Sequence, residues 1–559
     1  MRSLLKPNRV LAGPAIFCVL GSLILACVAQ DAPVTYPVRG VVLNSLTHRP
    51  IARALVDGRS DAVLTDNDGR FEINLTEGMT QINVRRPGYN NFTGGMMMHP
   101  VKVGPDMPGL TFYLVPQASI TVHVMLSNGD AADDIRFVAY RRRINQGHGR
   151  WMQEGNFTTD SEGVFRMVNV DAPASYLLCS TPTQEITAPM GPGKITYGYP
   201  PVCYPGVTDL STASPLTVSP GQQVEAEIAL SRQPFYPVTI LMPNRGQGQP
   251  AGISINDQSG FGTGFPARLN SRQGLAEVNL PNGRYYAESR TNNGQTSAYG
   301  RTDFQVSGEP VTGLSLVVHP LNPISVEIHR DLTHNEAISF VGAFPGNPGN
   351  ETNPGLNINL IAVESAGNTG GSQLRHPAGS SDNSHFEMDN VTPGSYWVQT
   401  FAFQGYVASI SSGGVDLARE PLVIGPGGAA APIEISLSDN GGKISATINP
   451  NSLANSASNP GEGEMSIIFA YAIPQFPSTA QLVMAATQGA FPLMFGNLAP
   501  GTYRVAAFDK PDEIDLDDSQ AMAQFNSQGQ TVTVEAGATA SVELDVIQTA
   551  HGGGEGQTQ

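Results

Sequence analysis

Three short stretches carry side chains whose types could do chemistry. Asp66-Asn67-Asp68-Gly69 offers the oxygen donors that calcium takes. The D-x-D-x-D-G spacing of a calcium loop fails, because Gly69 follows Asp68 directly, and a hairpin turn accounts for the stretch. Asp509 to Asp518 reads DKPDEIDLDD. Several of those carboxylates could gather around Ca²⁺, with a solvated acidic loop as the simpler expectation. Met96-Met97-Met98-His99 has soft ligands suited to Cu(I), against which stands apolar packing beneath the preceding Gly-Gly pair. None of the ten histidines opens a His-x-x-Glu zinc motif. Neither H-E-x-x-H nor a G-x-S-x-G elbow, a P-loop or a dinucleotide fingerprint occurs. The expectation is a non-catalytic protein with no cofactor and no metal.

Aromatic residues give the best binding candidate. The stretch HFEMDNVTPGSYWVQTF, His385 to Phe401, alternates with period two around a Pro393-Gly394 turn, the pattern of two strands and a tight turn. If Tyr396 and Val398 face a core, then Trp397, Gln399 and Phe401 face the other way, with Phe403 extending the row. Rings on an outer sheet face make a stacking platform for sugars, whose C–H faces lie on the ring while polar neighbours bond the hydroxyls. The competing account is that these rings pack against a neighbouring module or a long loop. Trp151 and the group Tyr197, Tyr199 and Tyr204, which flanks Cys203, are secondary candidates for the same role.

The elements that position these residues are repeated. Asn390-Val391-Thr392-Pro393-Gly394-Ser395-Tyr396 matches Asn497-Leu498-Ala499-Pro500-Gly501-Thr502-Tyr503 and Asn279-Leu280-Pro281-Asn282-Gly283-Arg284-Tyr285. A looser copy runs from Asn169 to Tyr176, and another from Asn74 to Thr80 keeps the glycine and loses the tyrosine. A period of roughly 100 residues is too long for a solenoid unit and suits one small β-sandwich. The glycine is expected to supply positive φ in the turn. The tyrosine ring is expected to face the core, with its hydroxyl available to tie down the corner. A second pattern closes each module, as in VSPGQQVEAEIAL from Val218 to Leu230 and VEAGATASVELDV from Val534 to Val546.

The fold class expected is therefore all-β, a tandem array of about five small Greek-key β-sandwiches. The expected divisions are 30–116, 117–232, 233–322, 323–438 and 439–548, with a flexible tail at 549–559. Short links predict a semi-rigid string. Asp515 to Phe525 reads as a loop or single turn rather than a helix.

Residues 1–29 read as a secretory signal. Arg2, Lys6 and Arg9 precede the apolar run Leu11 to Val28, and cleavage is expected between Ala29 and Gln30. Cys27 is the alternative, a lipid-attachment position, and an uncleaved anchor is a third reading. Cys179 and Cys203 remain in the mature chain, where a disulfide is favoured over free thiols or half a metal site. A net charge of -17 disfavours nucleic acid as a partner. The basic run Arg141-Arg142-Arg143 reads as a solvated hairpin end.

The first module carries more than the generic pattern. Val38-Arg-Gly-Val-Val42 leads to Pro50-Ile-Ala-Arg-Ala54-Leu-Val56, then Thr65-Asp-Asn-Asp-Gly69-Arg-Phe71, and closes at Gly88-Tyr89. Residues 36–90 thus resemble the carboxypeptidase regulatory-like domain, a transthyretin-type β-sandwich. The later modules resemble carbohydrate-binding-like or Cna-B-like sandwiches through N-[VL]-x-x-G-x-Y. The resemblance implies a secreted or envelope protein of bacterial type. The expected location is secreted, periplasmic or cell-envelope, and the expected partner a polysaccharide or another envelope component. The resemblance does not imply peptidase activity, because the regulatory domain is that family's non-catalytic part. The alternatives are a structural adhesin or scaffold with protein partners, and, behind it, an accessory subunit or a hydrolase whose clustered acid, base or metal site the sequence does not reveal.

Overall fold

A computed structural model describes residues 34–547 apart from internal stretches, of which the longest are 91–98, 186–193, 244–251, 333–355 and 455–466. The signal residues Cys27, Ala29 and Gln30, the tail, Met96 to Met98 and Phe403 lie outside the described residues. The described chain is almost entirely β and forms successive two-sheet sandwiches.

One wiring recurs five times. In the first sheet of each unit an opening strand lies in the middle: Thr35–Asn44, Ala118–Leu126, Gln233–Leu241, Ile324–Asp331 and Gly442–Ile448. It pairs antiparallel with the strand that enters the Asn turn: Arg70–Thr76, Val164–Val170, Leu275–Leu280, His385–Met388 and Leu493–Leu498. On its other edge it pairs parallel with the unit's closing strand: Leu110–Pro116, Gln223–Leu230, Val311–Ser315, Ile433–Ser438 and Thr539–Leu544. The second sheet is built on the strand that leaves the turn: Gly78–Arg85, Ala174–Ser180, Gly283–Asn292, Gly394–Ala402 and Gly501–Phe508. Alternate residues of both sheets point inward, as in Arg70–Thr76, where Phe71, Ile73 and Leu75 are buried. The result is five separate cores, drawn from 38–114, 118–230, 235–316, 324–437 and 444–546.

The corner tyrosines do what their position suggests. The hydroxyls of Tyr285, Tyr396 and Tyr503 donate to the carbonyls of Pro281, Thr392 and Ala499, four residues back, at 3.0, 3.0 and 2.8 Å. In the longer second copy Tyr176 reaches five residues back, to Asp171 at 2.9 Å. Burial pushes the Tyr176 hydroxyl up to about 12 and raises Tyr285 and Tyr503 as well, so these donors keep their protons across the physiological range. The glycine's role is more varied than expected. Gly394 and Gly501 have φ of 153° and 154°, whereas a Cβ on Gly283 would sit 3.0 Å from Tyr285 Cζ. The asparagine that heads the turn adopts the left-handed region in three copies, with φ of 59°, 65° and 55° at Asn169, Asn390 and Asn497. Asparagine tolerates that region better than other side-chain-bearing residues, which explains why it recurs.

The second unit repeats the first more closely than their sequences suggest. Thr65 accepts from the Ala54 N–H and donates to the Ile51 carbonyl at 2.9 and 2.7 Å. Thr159 accepts from the Ile135 N–H and donates to the Ala132 carbonyl at 2.9 and 2.5 Å. Asp66 then accepts from the Asp68 and Arg70 amides, as Asp160 does from those of Glu162 and Val164. The Asp66 carboxylate is thus engaged by its own turn, which carries the chain from Ala62–Leu64 in one sheet to Arg70–Thr76 in the other instead of closing the hairpin expected.

Neighbouring units are stitched together where the Asn turns lie. Asn279 donates to Thr196 Oγ1 at 2.9 Å, and its carbonyl accepts from Gln184 of the preceding unit at 3.1 Å. Arg290 donates to the Asn390 carbonyl at 2.6 Å, and Ser297 bonds the Asn390 side chain. The junction of units two and three also shares strands. Thr183–Gln184 and Thr196–Tyr199 pair with each other and extend the third unit's first sheet, Thr196, Tyr197 and Gly198 lying opposite Phe235, Pro234 and Gln233. The Cys179–Cys203 disulfide, S–S 2.04 Å, closes the base of that arm. Replacing both cysteines with serine should cost about 3 kcal/mol, the loop-closure entropy of a segment this long. Differential scanning calorimetry should show a single transition falling by on the order of 10 °C while the others hold. A uniform shift, or none, would contradict the staple.

Three sequence expectations are corrected. Ser519–Gln528 is an α-helix, not a loop. It covers a second apolar cluster on the outer face of the fifth unit, made by Phe469, Tyr471, Phe508 and Phe525. The acidic stretch before it is not wholly solvated, for Asp509 and Asp515 are 5% and 2% exposed, while Asp518 is exposed. The arginine run is not a solvated hairpin end either. Arg141 pairs with Asp171, Arg142 with Asp515 and Arg143 with Glu154. The Arg142–Asp515 pair joins the second unit to the fifth, beside a 2.6 Å bond from the Leu516 N–H to the Gly147 carbonyl. The array therefore bends back on itself, where a simple string was expected.

Candidate ligand-binding face

The fourth unit's second sheet places the aromatic row on a pleated outer surface. Tyr396 and Val398 are buried among the core residues, 9% and 6% exposed, so the intervening side chains point outward. Trp397 and Gln399 are half-buried and Phe401 is 45% exposed. Strand Leu356–Ala362 lies alongside in antiparallel register. It sets Ile361 opposite Trp397, Asn359 opposite Gln399 and Asn357 opposite Phe401. Val423, 67% exposed, pairs with Ser395 at the far edge.

The face thus interleaves two aromatic rings with three amide side chains, and none of the residues named carries a charge. Cross-strand neighbours on one face stand about 5 Å apart, so ring and amide can engage one pyranose together. Amides donate and accept at once, as vicinal hydroxyls demand. Asn357 and Asn359 escaped the sequence reading. The signal was the period-two run Leu356-Asn-Ile-Asn-Leu360, whose apolar members fix the amides outward.

The secondary candidates divide. Tyr199 and Tyr204 pack against the second unit's core, and Tyr197 lies under the Arg232 guanidinium at 4.2 Å, so the three make no common platform. Trp151 is half-buried at a cleft. Among the described residues no group of three or more His, Cys, Asp or Glu is placed to hold a metal ion. No helix among them is long and apolar enough to cross a membrane.

No protein-family model matches the chain, and no curated protein does. Solved structures give distant likenesses. The streptococcal ancillary pilin is 11% identical, with 51% of this chain and 99% of that one covered and a TM-score of 0.19. The Bacillus anthracis TIE protein is 12% identical over 74% of this chain and 75% of its own, with a TM-score of 0.16. The minor pilin of Streptococcus agalactiae is 13% identical over 38% and 100%, with a TM-score of 0.19. At such scores these likenesses carry no argument about this chain. The β-sandwich assignment rests on its own strands and cores.

Proposed function

We propose that this is an exported, non-catalytic surface protein. Its linked sandwiches hold the Trp397, Gln399 and Phe401 face toward a polysaccharide or another cell-envelope component. The observation that carries the reading is the outward row of rings and amides on a sheet whose inner face is fully used by the core. A signal at 1–29, or lipid attachment at Cys27, would take the chain out of the cytoplasm, and the disulfide suits an oxidising compartment. The divisions 30–116, 117–232, 233–322, 323–438 and 439–548 belong to this reading, as does the carboxypeptidase regulatory-like character of the first unit. Phe403 extends the aromatic row in the proposal.

The mature chain should be retained on part of an insoluble polysaccharide panel. Trp397→Ala should weaken that binding at least about ten-fold, the worth of a ring contact of ~1.5 kcal/mol. Trp397→Phe should keep most of it. Uniform failure to bind, or equal binding by the alanine variant, discards the sugar platform.

A second reading, a scaffold or adhesin with protein partners, is favoured by the hydrogen-bonded junctions, which hold faces of successive units in fixed relation. Binding to a purified envelope protein that survives Trp397→Ala would favour it.

A further inference from the structure

A cleft of about 580 Å³ opens between the second and third units, within the ~300–1,000 Å³ range of small-ligand sites. Its walls come from four places in the chain. Trp151 stands on the strand His148–Thr158, and Leu177, 3% exposed, forms part of the lining from Ala174–Ser180. Leu210 opens the short 3₁₀ turn Leu210–Thr212 that follows the disulfide, and Asp209 immediately precedes it. Gln258 reaches in from the third unit, just past strand Gly252–Asp257.

We infer that this cleft is a second glycan site, specific for a neutral sugar. The half-buried indole offers a stacking face, and Leu177 and Leu210 continue the apolar lining. Asp209 and Gln258 bring a carboxylate and an amide to the same cleft, the groups that take hydroxyl hydrogens and return one. Apolar faces and polar edges in this arrangement match a pyranose ring. The carboxylate of Asp209, in a chain of net charge -17, disfavours uronates and sulfated sugars. Because Gln258 belongs to the third unit, its amide joins the cleft only while the two units keep their relative position. The strand-sharing arm and its disulfide secure that position. This site is separate from the Trp397 face and stands or falls independently of it.

The chain contains two tryptophans, Trp151 and Trp397, so each can be made the sole indole reporter of its own site. In the full mature chain carrying W397F, titration with neutral cello-, xylo- and manno-oligosaccharides should shift Trp151 emission saturably for at least one series. Adding Q258A to that background should weaken the response on the order of five-fold, the worth of one net hydrogen bond. Gln258 is an exposed turn residue, so circular dichroism should be unchanged. Reciprocally, W151F should leave the Trp397 emission response intact. No emission change with any neutral series, a response to oligouronates instead, or a response to peptides only would overturn the assignment. A silent Trp397 with a responsive Trp151 would reject the platform of the fourth unit and leave the cleft standing.

Discussion

Gly163→Ala should unfold the second unit while its neighbours stay folded. Gly163 has φ of 72°, and a Cβ there would lie 2.4 Å from the Val124 carbonyl oxygen and 2.9 Å from the Ala132 amide nitrogen. Both are backbone atoms of the same sandwich and cannot swing aside. The left-handed backbone alone costs an alanine about 1–2 kcal/mol. The clash also spreads the bonds that Val124 makes to Gly163 and Ala132 makes to Val124, at 2.8 and 3.0 Å. Together these should exceed ~4 kcal/mol, a large share of the stability of one domain. Hydrogen exchange read by mass spectrometry should show protection lost across 118–230 and kept across 324–437. Gly69→Ala should act likewise on the first unit, where the Val42 carbonyl oxygen is 2.6 Å from the added atom. Unchanged exchange in 118–230 would refute the packing described for this turn.

Arg142→Ala should open the array. Its guanidinium joins the Asp515 carboxylate, whose side chain is 3% exposed, while that of Arg142 is 36% exposed. Removing the cation leaves a buried carboxylate without this counter-charge. A fully buried pair broken this way loses ~3–5 kcal/mol, and the partial exposure of Arg142 lowers the expectation to about 2–3 kcal/mol. A loss of that size exceeds what the adjacent Leu516–Gly147 bond returns, so the hairpin Arg136–Thr158 should leave the fifth unit. Small-angle scattering should report a larger radius of gyration with five folded units. Arg143→Ala is the control, since its partner Glu154 sits within the same hairpin. An unaltered scattering curve for Arg142→Ala would show that the contact does not hold the shape.

Local features of the fold were legible because they repeat at short range. The alternation in His385 to Phe401 sets which side chains face inward, and the structure puts Tyr396 and Val398 in the core and Trp397 and Phe401 outside it. The corner tyrosines were legible for the same reason, since ring and accepting carbonyl lie four or five residues apart. What escaped depends on partners far along the chain. Nothing near Arg142 announces Asp515. The helix Ser519–Gln528 was missed because its sequence is mostly polar and, among its described side chains, Phe525 alone is deeply buried. A clue existed in Ile467–Pro474, IIFAYAIP, which is apolar on both faces. A strand buried on both faces needs a covering layer on each, and the stretch read as a loop was free to supply one. The Thr159 to Phe165 copy of the first unit's turn was equally readable from T-D-x-x-G-x-F. It was overlooked because Glu162 stands where the first copy has Asp68.

In each unit a strand at or near the end of the unit lies parallel against the first, so no core can be sealed until nearly the whole unit is available. A chain delivered from its N-terminus would then mature in steps, each unit locking as its final strand arrives. The third unit's sheet would gain its extra edge from residues already emerged. The bond between Leu516 and Gly147 could form only at the very end, making the bent shape a record of completed delivery.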